Sequence, residues 1–489
     1  MKINFKNIFV ILLFSLCVAI GCTSHFDEMN TDPNNPTEIG AQFLLPYAIE
    51  RSVDRYWGHR DRFERINLDA AELWIQHLTR NIYSNEGDNY GISPALPNNN
   101  WKGFYNDAAI NFQRIVLQSA EDGISPNSNY EGVGLVMRSW VFSLLTDMFG
   151  AIPYTEALSG SVDVPIYSPA YDSQEDVYMG LLADLKLANE KLSTSGPAIL
   201  GDIFYEGNIL KWKKFANSLR LRLANRIAAK KPTEARAIMA EILGDPATYP
   251  VFETVDDNAS LWCTTVLPSN NEWHQVIVQS GRTDWNISKT LADKMNGLGD
   301  TRITVYASPN SEGQYQGHPN GLPDAIATTF LSSSSFIGSE FTKAEAPEVI
   351  MTLSELYFIL AEAVLDGDIS GDAQEYFEKG IEASYDQFGL DVPADFMTAV
   401  GAVTREKVLE QKWIALFGQG IEAWTEYRRT GYPVMPAADP SAVFENDGVL
   451  PTRFPYPATE YSLNQANVSM GESMNGGPND MKTKLWWAE

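Results

Sequence analysis

The stretch MTLSELYFILAEAVLDGDISGDAQEYFEKGIEASYDQFG, residues 351–389, reads as two amphipathic helices with a short turn between them. Thr352 followed by Glu355 is a capping-box pattern, in which the hydroxyl takes one unpaired N–H of the first turn and the acid reaches back to another. Leu356, Ile359, Leu360, Ala363 and Val364 then fall on one face at helical spacing, and Gly367 stands where a C-terminal cap belongs. Asp372 with Glu375 opens the next helix, whose stripe is Ala373, Phe377, Ile381 and Tyr385. Ala361, Ala363, Ala373 and Gly380 are small enough to let the two backbones approach closely. The stretch predicts an antiparallel helical hairpin of the tetratricopeptide kind.

The same texture continues on both sides. Leu409, Trp413, Leu416 and Phe417 precede Gly418-Gln419-Gly420, and Ile421, Trp424 and Tyr427 follow it. Upstream, Val177, Leu181, Leu185, Ala188 and Leu192 form a stripe, with Asp172 and Ser173 as candidate N-caps. Trp212, Phe215, Leu219, Leu223 and Ile227 form another, surrounded by eight lysines and arginines between 211 and 231. In an acidic chain such a basic helix is expected to pair with the protein's own carboxylates. No strict 34-residue period is visible. Residues 244–349 differ: Gly, Pro, Ser and Asn are frequent, aromatics are scattered, and no long stripe can be drawn. This segment reads as an insertion of loops, short strands and a few short helices, of the length that usually serves function. The stretch after Thr430, with six prolines between 433 and 457, is a similar irregular cover.

The N-terminus sets the address. Lys2 and Lys6, the apolar run 8–20 and Gly21 make a tripartite export signal, too short to span a bilayer. Val18-Ala19-Ile20-Gly21-Cys22 resembles a lipobox, which predicts cleavage before Cys22 and its lipidation; the alternative is an ordinary cleaved signal. Two or three acyl chains on one residue anchor stably. Residues 23–40 are polar, Asn- and Pro-rich, and read as a tether without the EF-hand spacing. The signal holds two of the 36 basic residues and no acid, so the remainder has 34 basic against 63 acidic groups, two charges more negative than the −27 of the whole chain. That balance argues against nucleic-acid binding. Of the three cysteines, Cys17 leaves with the signal and Cys22 is modified, so Cys263 has no disulfide partner. The domain plan is a signal (1–21), a tether (22–40) and one domain (41–489) with helical blocks at 41–243 and 350–430 around the insertion.

Several blocks in order resemble the SusD and RagB family of outer-membrane lipoproteins: FDEMNTDPNNPTEI (26–39), DMFGAIPYTEAL (147–158), PAYDSQEDVYMGLLADL (169–185), KWKKFANSLRLRLANRI (211–227), YFILAEAVLDGD (357–368), EQKWIALFGQGIEAWTEYRRTGYP (410–433) and PTRFPYPATEYSLNQANV (451–468). The Asn-x-Asp-Pro-Asn element at 30–34 is similar to that of one branch. The resemblance implies a mostly α-helical fold with four tetratricopeptide-like hairpins and a less regular ligand-binding part. It also implies a lipid-anchored place on the cell surface, and a SusC-like TonB-dependent transporter as partner. Asp27 and Glu28 come slightly later after Cys22 than in the usual surface-export pattern.

Capture of a glycan or an oligopeptide needs flat aromatic faces and polar rims. Two platforms are expected. One is the loop NIYSNEGDNYGISPALPNNNW, with Tyr83, Asn89, Tyr90 and Trp101; the other is the insertion, with Trp262, Trp273, His274, Trp285, Tyr306, Tyr315, His318 and Asn320. Trp140, Trp212, Trp413 and Trp424 lie on helical stripes and belong to the core. Enzymatic signatures are missing: no His-Glu-x-x-His, no Gly-x-Ser-x-Gly, no Gly-Lys-Ser/Thr, and a Gly418-x-Gly420 element that joins helices instead of following a strand. No cofactor or metal is expected. A lipid-anchored glycoside hydrolase, which needs only two suitably spaced carboxylates, and a passive helical scaffold are the competing readings.

Overall fold

A computed structural model describes residues 39–58, 61–159 and 165–488; the lipidation site Cys22 and most of the tether lie outside them. The architecture is mostly helical. Helix α1 (Ala41–Trp57) leads into paired helices. α2 (Ile110–Ser119) packs on α3 (Ser128–Phe149), α4 (Gln174–Lys191) on α5 (Ile209–Ile227), and α6 (Leu353–Leu365) on α7 (Ala373–Asp386). α8 (Arg405–Ala415) meets α9 (Gly420–Thr430), and the pairs join through α3 on α4 and through α6 on α5 and α8.

Local chemistry fixes the helix starts. The side chains of Asn127, Ser173, Asn208, Thr352, Asp372 and Thr404 each accept a hydrogen bond from a first-turn N–H, at the heads of α3 to α8. The hairpin read from residues 351–389 forms with Thr352 Oγ1 accepting from the Glu355 N–H at 3.1 Å and with Gly367 at φ +75° just after the α6 cap. At Gly380 an added Cβ would lie 2.7 Å from the Phe358 ring, so the close approach of α6 and α7 requires glycine. Trp140, Trp212, Trp413 and Trp424 are buried, as their stripes predict.

The basic helix α5 turns its cations inward. Lys211 pairs with Asp256, Lys214 with Asp257, Arg220 with Glu241 and Arg222 with Glu355. Arg226, fully buried, reaches Asp147, Glu422 and Glu426. This ion-pair lattice ties α3, α5 and α9 together.

The insertion is stitched to the helical part by two short antiparallel ladders. β1 (Leu78–Arg80) pairs with β3 (Trp285–Ile287), and β2 (Ala259–Leu261) with β4 (Glu348–Met351). Its aromatics build core to a greater extent than the sequence suggests. Trp273 is 0% exposed, packs edge-on against Trp57 and donates its Nε1–H to the Trp57 carbonyl at 2.8 Å. Tyr306 stacks on Phe417 at 4.6 Å and is equally buried. Irregular backbone carries no period to show which side faces in, and composition alone placed these rings at the surface. Among the described residues no helix is long and apolar enough to cross a membrane.

Candidate functional site

The β1 and β3 strands end together at Arg80 and Trp285, which face each other in register. From there the chain enters the loop 81–91. At this rim a ladder of alternating rings and guanidinium groups runs from the surface inward. Arg62 lies 4.9 Å from the Phe63 ring centre and 5.8 Å from that of Tyr83; Arg282 lies 5.9 Å from Tyr83 and 5.1 Å from Trp285; Arg80 and Arg65 cover Trp285 at 4.9 and 5.6 Å. Each such cation–π step contributes about 0.5–1 kcal/mol when exposed and ~2 kcal/mol when desolvated. Carboxylates hold the cations from the sides: Glu86 pairs with Arg62, Asp69 with Arg65 and Arg80, and Asp284 with Arg282.

Tyr83 is the outer rung, 42% exposed, with its backbone in the left-handed region at φ +59°. A non-glycine residue held there carries strain of about 1–3 kcal/mol and persists only where its surroundings impose it. Here Asp324 imposes it, accepting from both the N–H and the hydroxyl of Ser84 at 2.9 Å. Burial pushes the Asp324 carboxyl up, but these bonds and one from the Tyr83 N–H win, holding it below its ordinary value. Deeper in the loop, Asp88 accepts from Thr79, from the Asn320 amide and from the Gly321 N–H. Burial raises it to about 6 against those bonds. Tyr90, also at positive φ (+71°), stacks on Phe444 at 4.5 Å. The loop is a preformed mount for one ring.

The structure sorts the residues expected at the site. Trp285 is 2% exposed and serves as the inner rung, its Nε1 and the Arg80 Nε without hydrogen-bond partners among the described residues. Tyr90 is a buried prop. Asn89 is half-buried and spends its Oδ1 on the Gly91 N–H. His318 is buried on the Arg80 carbonyl and Ser334, and burial lowers it to about 4. Asn320 gives its amide N–H groups to Leu73, Leu78 and Asp88 and accepts from Ser288, so it is a brace with no free group for a ligand. Trp273 offers no face at all. Trp101, 7% exposed, sits in a box with Tyr105, Phe149, Tyr171 and Tyr456 and shows only an edge to a 610 Å³ cavity that Tyr105 and Tyr167 also line. Tyr315 is half-buried, its carbonyl held by the Asn296 amide. Trp262 stands apart, 66% exposed beyond the end of β2. The arginines of the ladder escaped the sequence reading, because Arg62, Arg65, Arg80 and Arg282 are scattered and composition weighs only the rings. The dipeptide Arg62-Phe63 and the closeness of Arg80 to Tyr83 were the available signals.

Chemically the rim presents flat faces and N–H donors. Glu86, Asp69, Asp284 and Asp324 are tied to guanidinium groups or backbone N–H groups, the reverse of what a proton-donating carboxyl of a glycosidase requires, and Asp88, which burial raises to about 6, is fully enclosed. Asp54 and Glu348, which burial pushes well up, are enclosed as well. Among the described residues no group of three or more His, Cys, Asp or Glu is arranged to hold a metal ion.

Fold and rim together define a helical-repeat protein with an exposed rim of aromatic rings and guanidinium groups. Residues 33–457 match the SusD-like family described as starch-binding and associating with the outer membrane, and the chain belongs to that family. Its members are binding proteins, and this protein is not an enzyme. A solved chitin-binding protein is similar at 28% identity and TM-score 0.80, covering 92% of this chain and 100% of that one. A chitin-binding SusD homolog from Flavobacterium johnsoniae shares the fold at 24% identity and TM-score 0.77, with 92% and 98% covered. A SusD homolog from Bacteroides uniformis does so at 23% identity and TM-score 0.78, with 91% and 99% covered. No curated protein sequence matches the chain.

Proposed function

We propose that this protein captures glycans at the Tyr83 ladder on the cell surface and delivers them to a SusC-like TonB-dependent transporter, held at the outer membrane by lipid on Cys22. The observation that carries the reading is the exposed Tyr83 ring, fixed in a strained conformation and flanked by two guanidinium planes. The exposed edge of such a ring can meet the C–H groups of a pyranose while the neighbouring N–H groups meet its hydroxyls. The similar chitin-binding protein makes N-acetylglucosamine oligomers the first ligand to test, with glucose oligomers second, ahead of peptides. Calorimetric titration of the mature protein with these oligomers checks the proposal. Binding without chain shortening is expected, and Tyr83→Ala weakens it by about tenfold to thirtyfold, roughly 1.4–2 kcal/mol. Unchanged affinity in that variant, or shortened products, would overturn it. Lipidation is checked separately by the mass of the processed N-terminal peptide, and partnership by co-purification with a barrel protein.

A further inference from the structure

The geometry points to a second glycan subsite, for uncharged oligosaccharides, in the cleft beside Trp262. The inference rests on reading the protein as a glycan binder, and it concerns a different surface from the Tyr83 ladder. The segment Asn258-Ala259-Ser260-Leu261-Trp262 is extended; Ala259, Ser260 and Leu261 are all buried, and Asn258 and Trp262 at its two ends are more open. Asn258, Ser260 and Trp262 line a 390 Å³ cleft, opposite Pro347 and Val349 of the partner strand region and above Phe204 and Tyr205. That volume lies in the ~300–1,000 Å³ span of small-molecule sites.

The lining has the chemistry of a sugar site. Trp262 is the most exposed tryptophan among the described residues, at 66%, and in the cleft its indole face is open to a stacking partner. Asn258 is held by its Oδ1 accepting from the Leu353 N–H at 2.7 Å, which aims its amide N–H groups without engaging them. Gln387 and Ser260 in the same cleft make no side-chain hydrogen bond among the described residues. These groups can serve the hydroxyls or N-acetyl amide of a ring stacked on Trp262. At the mouth Lys211 is neutralised by Asp256 at 2.8 Å, and Glu206 adds an acid with no ion pair among the described residues. In a chain of net charge −27 that mouth repels uronate or sulfated sugars, so the cleft selects neutral ones. Two platforms on one chain let a long polymer bind at both, with the second contact made at high effective concentration.

The test compares wild type, Trp262→Ala, Trp262→Phe and Tyr83→Ala by calorimetry with short N-acetylglucosamine or glucose oligomers, and by retardation in gels containing the corresponding soluble polymer. Two sites per chain are expected for short oligomers in the wild type and one in Trp262→Ala. Polymer binding falls about tenfold in Trp262→Ala and is largely restored by Trp262→Phe, while Tyr83→Ala keeps the site at Trp262. A wild type with a single site, or Trp262→Ala indistinguishable from it, overturns the inference and leaves the Tyr83 reading standing. If no oligomer binds any variant, it is the glycan reading that fails. Far-ultraviolet dichroism confirms that the surface substitution leaves the fold intact.

Discussion

Arginine does opposite work in two regions of this molecule. Between α3, α5 and α9, Arg226 is 1% exposed at its side chain and is enclosed by Asp147, Glu422 and Glu426; the carboxylates overcome burial and hold it well above its ordinary value. At the rim, Arg62 and Arg282 lie over ring faces, and Arg62 is half-exposed. In the first region the guanidinium's donors are consumed by the protein and the product is rigidity. In the second, stacking on rings occupies the faces of the guanidinium planes, and a single carboxylate, Glu86 for Arg62 and Asp284 for Arg282, takes only part of each edge. The same residue type therefore serves the scaffold where several buried acids enclose it, and on the proposed reading serves the rim where it is exposed beside a ring, as Arg62 is.

The largest expected effect breaks the scaffold half of that contrast. Arg226→Ala leaves Asp147 to Tyr178 and Trp487 and Glu422 to Arg222 at 3.9 Å, while Glu426 keeps Lys412 and Arg429, and the loss of the shared buried cation costs about 3–5 kcal/mol. Urea unfolding of the soluble mature protein measures it, and a loss under ~1 kcal/mol would mean the lattice is not a structural core. Next comes the mount of the platform, where two shifts oppose each other. His318 is lowered to about 4 by burial, so as pH falls from about 6.5 to 4 the unfolded chain takes up a proton that the native state refuses, and stability drops by roughly 3 kcal/mol. Asp88 is raised to about 6, so over nearly the same range the native state gains a proton first and stability rises by a similar amount. The pair leaves the loop nearly indifferent to mild acid. His318→Gln removes one arm, and relative to wild type the variant should gain about 3 kcal/mol between pH 7 and pH 4, read from urea midpoints at each pH. A gap that stays constant with pH would show that His318 titrates normally.

What the sequence disclosed follows from periodicity. Thr352, Asp372 and the stripe residues of α6 and α7 lie where residues 351–389 placed them, because caps and a 3.6-residue repeat are local statements that the chain makes about itself. The tryptophans of the stripes went to the core for the same reason. The insertion carried no such signal. Trp273, Trp285, His318 and Asn320 are buried by partners hundreds of residues away or across a strand pair, such as Trp57 at 216 positions' separation and the Leu78 carbonyl at 242. Tyr83 and Trp262 were legible as loop aromatics, but their settings were not: the ladder joins residues from 62 to 285, and the Trp262 cleft joins residues from 204 to 387.

The platform half is sharpened by two substitutions at Tyr83. Ala and Gly both remove the ring, so both lose the same ~1.4–2 kcal/mol of glycan binding. They differ in the backbone: at φ +59° alanine keeps the left-handed penalty and glycine does not, so Tyr83→Gly should be about 1 kcal/mol more stable than Tyr83→Ala. Equal stabilities would mean that the loop relaxes once the ring is gone and that Asp324 does not impose the conformation.

The smallest effect separates charge from plane. Arg282→Lys keeps a cation beside Asp284, where the native pair is held, but replaces the flat group between Tyr83 and Trp285 with a compact ammonium. If the rim works as a ladder, glycan affinity falls by about 0.5–1 kcal/mol while unfolding stability moves by less than ~0.5 kcal/mol, because the ion pair is partly exposed and contributes little to the fold. If the rim works only through positive charge, the lysine variant binds like the wild type and Arg282→Gln is the one that fails. Titrating both variants against the same neutral oligomer distinguishes these outcomes, since lysine keeps a charge-assisted N–H donor for a sugar hydroxyl and lacks only the stacked plane.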